Sequence, residues 1–390
     1  MATAAADGDL VGNVEHDLAR LVGFETVSDR PTTGIASFLS ERLEALGFRI
    51  EPFQDPDHPE KGSLVARIGP EGTDGLTMSG HMDVVPTEGQ PWTSDPFRLT
   101  PRADRLVGRG SADMKGFFAA TLQALERIPR SAFQKELALV WTHDEEVGCL
   151  GAGKLVDHLL AKGTKLPTAC LIGEPTDFEI LRMHPGHVVV RAELTGEAAH
   201  SSRPDLGVNA LEDAARVVLA ARALADELAM EKVDLPGMER PWVAFNTARL
   251  HSGTVVNIVP DLAVIEFGYR PLPGMHSDEV YERLLAAVSA LPLRGRVQLE
   301  ITRRTPSLLT PEGTPLQGLL AEHASSPGCG ACSFATDGGQ LARMGAMPLV
   351  FGPGSIEVAH KADEYVERAA LHHAVDVLET VVRRACTGAS

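Results

Sequence analysis

The sequence predicts an α/β protein, with a mostly parallel-sheet domain interrupted by an inserted ferredoxin-like α+β domain. Three observations carry this reading. Short apolar stretches alternate with segments of helical periodicity, the pattern of strands joined by crossover helices. At 390 residues the chain is long for a single core, so two domains are expected. Between about His184 and Arg303 the rhythm changes to a β-α-β-β-α-β order, the split unit that forms one sheet with helices on one face. The domains that follow are 1–185 with 304–390, carrying the larger sheet, and 186–303, the insert.

In chain order, a helix is expected from about Val11 to Phe24, where Val14, Leu18, Leu21 and Val22 recur at helical spacing. A second runs from about Gly34 to Leu46 and stops at Gly47. Ser63 to Ile68 and Gly75 to Met78 are apolar runs bounded by Gly and Pro, hence strands. The latter leads into Ser79-Gly80-His81-Met82-Asp83-Val84-Val85-Pro86, so His81 and Asp83 fall where a buried strand stops. After a Pro- and Gly-rich loop to Pro101, the run Leu106 to Gly116 brings Asp113 to the mouth of a helix with apolar Phe118, Leu122, Leu125 and Ile128. A strand from Glu136 to Thr142 ends in His143-Asp144-Glu145-Glu146. A helix follows from about Gly151 to Ala161, and the apolar run Thr168 to Gly173 stops at Glu174. Within the insert, strands are expected at 187–194, 242–251, 261–270 and 296–302, with helices at 208–228 and 277–291. Met347 to Phe351 is a last strand, running into Gly352-Pro353-Gly354-Ser355, with His360 five residues beyond.

Composition narrows the function. Hydrophobic residues make up 44% and charged residues 23%, the balance of a soluble globular protein. With 36 Lys and Arg against 53 Asp and Glu, the net charge of −17 repels phosphate backbones and anionic membranes. Neither nucleic acid nor membrane is an expected partner. Met1 to Asp9 has no basic region and no apolar segment, and no later run approaches the ~20 apolar residues of a membrane span. A cytoplasmic location is therefore expected. Five scattered cysteines argue against a disulfide framework. Cys329 and Cys332 have the spacing of a redox pair or half a zinc knuckle, but no second Cys-x-x-Cys and no thioredoxin-like strand accompanies them, so they receive no function.

Ligands of parallel sheets gather beyond the carboxyl ends of the strands. His81, Asp113, Glu145, Glu146, Glu174 and His360 all fall just past a predicted strand or at a helix mouth after one. Each alone has a plainer reading. His81 and Asp83 could be a satisfied polar pair, Asp113 a helix N-cap and Asp144 part of a solvated turn. Together, two His and several carboxylates make a nitrogen and oxygen donor set suited to Zn²⁺, with Co²⁺ or Mn²⁺ able to substitute. The donors exceed what one tetrahedral ion needs, which points to two metals. On an extended backbone His81 and Asp83 project to the same side, so the Asp83 carboxylate can orient the imidazole.

These residues resemble the M20 family of dinuclear zinc amidohydrolases and peptidases. Gly80 to Pro86, Gly108 to Gly116, Asp144-Glu145-Glu146-Val147-Gly148, Gly173-Glu174-Pro175 and the late His360 match its motifs in order over nearly the whole chain. The resemblance implies that Asp113 bridges two zinc ions, that His81 and Glu174 complete one coordination shell, and that Glu146 and His360 complete the other. It makes Glu145 the general base and the Asp113–Met114 peptide cis. It also implies that the insert is a lid and dimerisation domain of a homodimer. His200 would then donate to the oxyanion in the partner's site, with Asn257 and Arg270 binding the substrate carboxylate. Apart from it, His200 reads as a surface histidine before Ser201-Ser202, and Arg270 as a strand-end salt bridge.

Gly186-His187, Ala199 to Ser202, Gly207 to Ala210, Asn257 to Pro260, Arg270 to Met275, Gly352 to Ile356 and Ala359 to Tyr365 are most similar to a branch that removes the acetyl group of N2-acetyl-L-ornithine. Thr336-Asp337-Gly338 departs from that branch's usual Thr-Glu-Ala. The implied substrate is a small N-acyl amino acid. Competing readings are a sister deacylase, a dipeptidase, and a non-catalytic dimeric binding protein of the same fold. Intact Glu145 and an intact ligand set speak against the last.

Overall fold

The structure is a computed structural model that describes residue 10 and residues 12–388. Met1 to Asp9, read above for targeting signals, and Val11, where the first helix was expected to begin, lie outside the described residues. The chain divides into two compact units, Met1–Arg182 with Thr310–Gly330 and Thr336–Ser390, and Met183–Leu309 with Ala331–Ala335. The return from the second unit thus comes later than the 304 expected. Its last long strand, Arg296–Thr305, outruns the predicted 296–302, and Leu308 and Leu309 then pair with His184 and Met183.

In the first unit, Arg49–Gln54, Gly62–Ile68, Glu136–Thr142, Gly75–His81, Ala169–Ile172 and Met347–Val350 are consecutive neighbours in one sheet. The last four are mutually parallel, and the first two are antiparallel to their neighbours. The parallel centre follows from the connections, because Lys115–Glu126 and Leu150–Ala161 are crossover helices between its strands. A strand covered on both faces has no polar side to show, and Glu136–Thr142 is buried at all seven positions. Phe118 from the helix Lys115–Glu126 packs on Trp141 of that strand with ring centroids 4.8 Å apart. The C-terminal helix Arg368–Cys386 adds Leu371, Val375, Leu378 and Val382 to the same core.

The second unit is a four-stranded antiparallel sheet in the order Ala244–Ser252, Leu262–Arg270, His187–Thr195, Arg296–Thr305. Numbered along the chain these are strands 2-3-1-4, the order of a ferredoxin-like split unit. Alternation along His187–Thr195 and Leu262–Arg270 buries every second residue. Val188, Val190, Ala192, Ile265 and Phe267 share a core with Val217, Leu224, Val280 and Leu284 of the helices Ala210–Met230 and Glu279–Ser289. The first helix starts two residues later than predicted. Val208 is held in a bridge to Glu197, and Asn209 caps the helix by accepting from the amides of Leu211 and Glu212 at 3.0 and 3.3 Å. Ala244–Ser252 is an edge strand with no buried residue. Among the described residues, no helix is long and apolar enough to cross a membrane.

Candidate metal centre

The parallel register brings the predicted donors to one edge of the sheet. His81 pairs with Thr142 and Ser79 with Ile172, so the segments carrying Glu145, Glu146 and Glu174 leave the sheet beside His81. Backbone must come close here, because a Cβ on Gly173 would lie 2.2 Å from the buried ring of Phe117. Asp113 precedes the helix Lys115–Glu126 but does not cap it. The cap position is Met114, which makes no side-chain capping bond, and the Asp113–Met114 peptide is cis. The carboxylate of Asp113 is turned instead toward the two histidines.

Its two oxygens are divided between them. Oδ1 lies 2.9 Å from His81 Nε2 and Oδ2 lies 3.2 Å from His360 Nε2. Glu174 Oε1 is 3.9 Å from His81 Nε2, and Glu146 Oε2 is 3.0 Å from His360 Nε2. One carboxylate thus stands between an imidazole–carboxylate pair on either side. His81, Asp113 and Glu174 are buried, whereas the His360 side chain is half exposed. Glu145 does not bond to either histidine. Its Oε1 accepts from the Cys149 thiol at 3.3 Å, and one carboxylate oxygen of Asp337 lies within 4.8 Å of both.

Of the two tasks open to Asp83, holding the imidazole falls to its main chain and holding the surroundings to its carboxylate. The main-chain oxygen of Asp83 accepts from His81 Nδ1 at 2.9 Å, while the carboxylate is 3.7 Å away. That bond sets the ring so that Nε2 faces Asp113. The carboxylate of Asp83 accepts from the amides of Glu145 at 3.1 Å and Glu146 at 3.2 Å, and from the Ser28 hydroxyl at 2.8 Å. It therefore shapes the loop that carries Glu145 and Glu146. Asp144 is not in a solvated turn either; it is buried and paired with Lys61 at 2.8 Å.

The crowding of acids leaves its mark on their protonation. Burial, reinforced by the Asp113 charge, pushes Glu174 well above the usual carboxylate range and Glu146 up to about 7. Burial also lifts Glu145, with the Glu174 charge adding to it, and raises Asp337 to about 6. Hydrogen bonds to Asp113 and Glu146 raise His360 to about 10. His81 is raised as well, since its bond to Asp113 and the nearby acids outweigh burial. Asp113 moves the other way, held low against burial by the two histidines. The site demands positive charge, and the upward shift of both histidines reflects that demand. Divalent cations would meet the same demand with neutral imidazoles, and the donor set of two nitrogens and three bridging or flanking carboxylates fits them.

His200, Asn257 and Arg270 belong to the second unit. His200 is exposed, with Nδ1 2.7 Å from the Ser202 hydroxyl, and its backbone is bridged to Ile258. The Asn257 carbonyl accepts from the Ser201 amide at 3.1 Å, so both lie on adjoining segments. Arg270 ends the strand Leu262–Arg270 and lines a cleft of about 410 Å³ with Trp242, Met238 and Leu272. Reading the sequence did not single out Glu364, Ser28, Lys61 or Cys149 as individuals. Glu364, buried against Arg109 at 2.5 Å, accepts from the amides of Ala112 and Asp113 at 3.0 Å each. It lay within a quoted motif, but its partners are some 250 residues away. Only distance in space shows its task.

A parallel sheet whose strand ends gather two imidazoles and several carboxylates about one shared Asp defines the hydrolases built on a two-cation centre. The chain belongs to peptidase family M20/M25/M40, whose profile matches residues 77–384, and it is a hydrolase of that family. It is 33% identical over 371 residues to an acetylornithine deacetylase of Vibrio campbellii, covering 92% of this chain and 93% of that protein. It is 34% identical over 346 residues to one from Edwardsiella ictaluri, 87% of each. Among solved structures, an M20 family metallo-carboxypeptidase from Sulfolobus solfataricus shares the fold with a TM-score of 0.76 at 18% identity, over 96% of this chain and 99% of that one. The Bacillus subtilis YXEP protein, described as a dinuclear metal binding peptidase, does so at 0.62 and 12%, over 95% and 98%.

If the two histidines stand on separate cations, His360→Ala removes one of two binding equivalents and leaves the other. Metal titration of the stripped protein by calorimetry reads this directly. Two equivalents of unchanged affinity in the variant would reject His360 as a ligand.

Proposed function

We propose that the chain is a zinc-dependent amide hydrolase that removes the acetyl group from N2-acetyl-L-ornithine, giving acetate and L-ornithine, a step of arginine biosynthesis. The chemistry rests on the division of the Asp113 oxygens between His81 with Glu174 and His360 with Glu146. The substrate rests on full-length similarity to acetylornithine deacetylases. A cytoplasmic setting belongs to the same reading.

Two bound cations supply the Lewis acidity that polarises the amide carbonyl and brings a water toward a pKa of ~7. Asp113, Glu146 and Glu174 carry three negative charges, one fewer than two divalent ions bring, so the centre favours an oxyanion. Glu145 takes a proton from the attacking water and delivers it to the departing amine nitrogen as the carbon–nitrogen bond breaks. That task needs a carboxylate close to the ligands yet outside their set. Glu145 meets the requirement, next to Glu146 in sequence and bonded instead to Cys149. Arg270 and Asn257 bind the substrate carboxylate, for which an Arg fork is suited. His200 donates to the oxyanion from the partner subunit of a homodimer, and the exposed edge strand Ala244–Ser252 is available for such pairing. A sister deacylase such as succinyl-diaminopimelate desuccinylase, or a dipeptidase, is favoured only by Asp337 standing where the deacetylase branch more often has Glu.

Glu145→Gln is expected to keep its metal and lower turnover at least ~10²-fold; near-normal turnover in the metal-replete variant contradicts the role. Across a panel of N-acetyl and N-succinyl amino acids and dipeptides, N2-acetyl-L-ornithine should give the highest kcat/KM, and preference for another member moves the assignment to that branch. Co-expressing His200→Ala chains with Glu145→Gln chains should restore roughly a quarter of wild-type activity, since about half the dimers are hybrids with one intact site. Verified hybrids as inactive as either parent would confine His200 to its own subunit.

A further inference from the structure

We propose that Lys61 is a positioning residue for the general base, a buried ammonium that, together with Asp83, fixes the loop Asp144–Glu146. The inference rests on Glu145 being the base. Lys61 precedes the strand Gly62–Ile68 and is 7% exposed. Its Nζ donates to both carboxylate oxygens of Asp144 at 2.8 Å and to the main-chain oxygen of Ser28 at 2.5 Å. All three of its donors are therefore used.

The partners close a ring. Ser28, whose carbonyl receives Lys61, donates through its hydroxyl to Asp83, and Asp83 accepts from the amides of Glu145 and Glu146. Those two residues follow Asp144, which Lys61 grips. Three successive residues are thus pinned, one by its side chain and two by their amides. Asp144 also has a left-handed backbone, φ 53°, a conformation unusual for a residue with a side chain. The turn goes on through bonds from the Gly148 and Cys149 amides to Glu145 O and from the Leu150 amide to Asp144 O.

Within this ring Lys61 is the cation paired with the Asp144 carboxylate. Without it, Asp144 is an uncompensated buried acid among other acids, which an interior tolerates poorly. The cheapest relief is to turn Asp144 toward water. That rotates the peptide leading to Glu145 and moves its carboxylate from the attacking water. A displacement of about 1 Å at a reacting group costs on the order of 10²-fold. The loss falls on kcat, because Glu145 acts on the water and the amine nitrogen, not on the groups that bind the amino acid.

The test compares Lys61→Met, Asp144→Asn and the double variant as metal-replete full-length proteins, with Glu145→Gln alongside. Lys61→Met should lower kcat ~10- to 10²-fold with KM and metal content unchanged. The double variant, which leaves no unpaired charge, should be more active than Lys61→Met, or than Asp144→Asn alone if Lys61→Met does not fold. Wild-type kcat in Lys61→Met, or a double variant no better than the worse single, overturns the inference. Should Glu145→Gln itself prove active, the assignment of the base has failed and not the ring.

Discussion

The protein is organised by the crowding of negative charge at the ends of its parallel strands. Asp113, Glu146 and Glu174 converge on two histidines, with Glu145 and Asp337 close behind. Packing acids in a buried site raises their proton affinity, as Glu146, Glu145, Glu174 and Asp337 show. A fold keeps such an arrangement only if its scaffold is rigid and a positive ligand relieves it. The acidity that is a structural burden also suits the centre to hold cations.

Rigidity comes from groups outside the donor set. Glu364 accepts the amides of Ala112 and Asp113 and is anchored by Arg109, whose guanidinium lies over the Trp92 ring at 5.1 Å and donates to Gln90 at 2.7 Å. Removing one partner of a buried ion pair of this kind typically costs ~3–5 kcal/mol. Asp83 does the equivalent for the Glu145 and Glu146 amides. A further layer supports the strand leading to that loop, where His143 lies between the Ser63 hydroxyl at 2.8 Å and Asp55 at 3.0 Å, and Asp55 is paired with Lys154 at 2.8 Å. The donors are oriented by main chain that is itself held by buried acids.

Much of this was legible in sequence. Glu136–Thr142 is apolar throughout because both faces of a parallel strand are covered, and its boundaries were read to the residue. In the insert, the number and order of strands and helices specified its topology. Asp113 as a helix cap and Asp144 as a solvated residue are local readings that failed because contacts distant in sequence decide them, His81 and His360 in one case and Lys61 in the other. Spacing puts Asp83 beside His81 but does not show that its carbonyl, and not its carboxylate, meets the ring. The short strands 100–102, 105–107 and 365–367 escaped because a three-residue strand has no period to detect. The helix at 208 was placed early because its start depends on the bridge from Val208 to Glu197.

The central claim is that the shared Asp113 carboxylate organises two cations into one hydrolytic centre. Its most direct test is to strip the protein of metal and add Zn²⁺ back in steps, following acetate release from N2-acetyl-L-ornithine together with bound metal. The account predicts no release from the stripped protein and a return of activity that saturates at two ions per chain. Full release from metal-free protein, or activity that ignores the added ion while two equivalents bind, would contradict it.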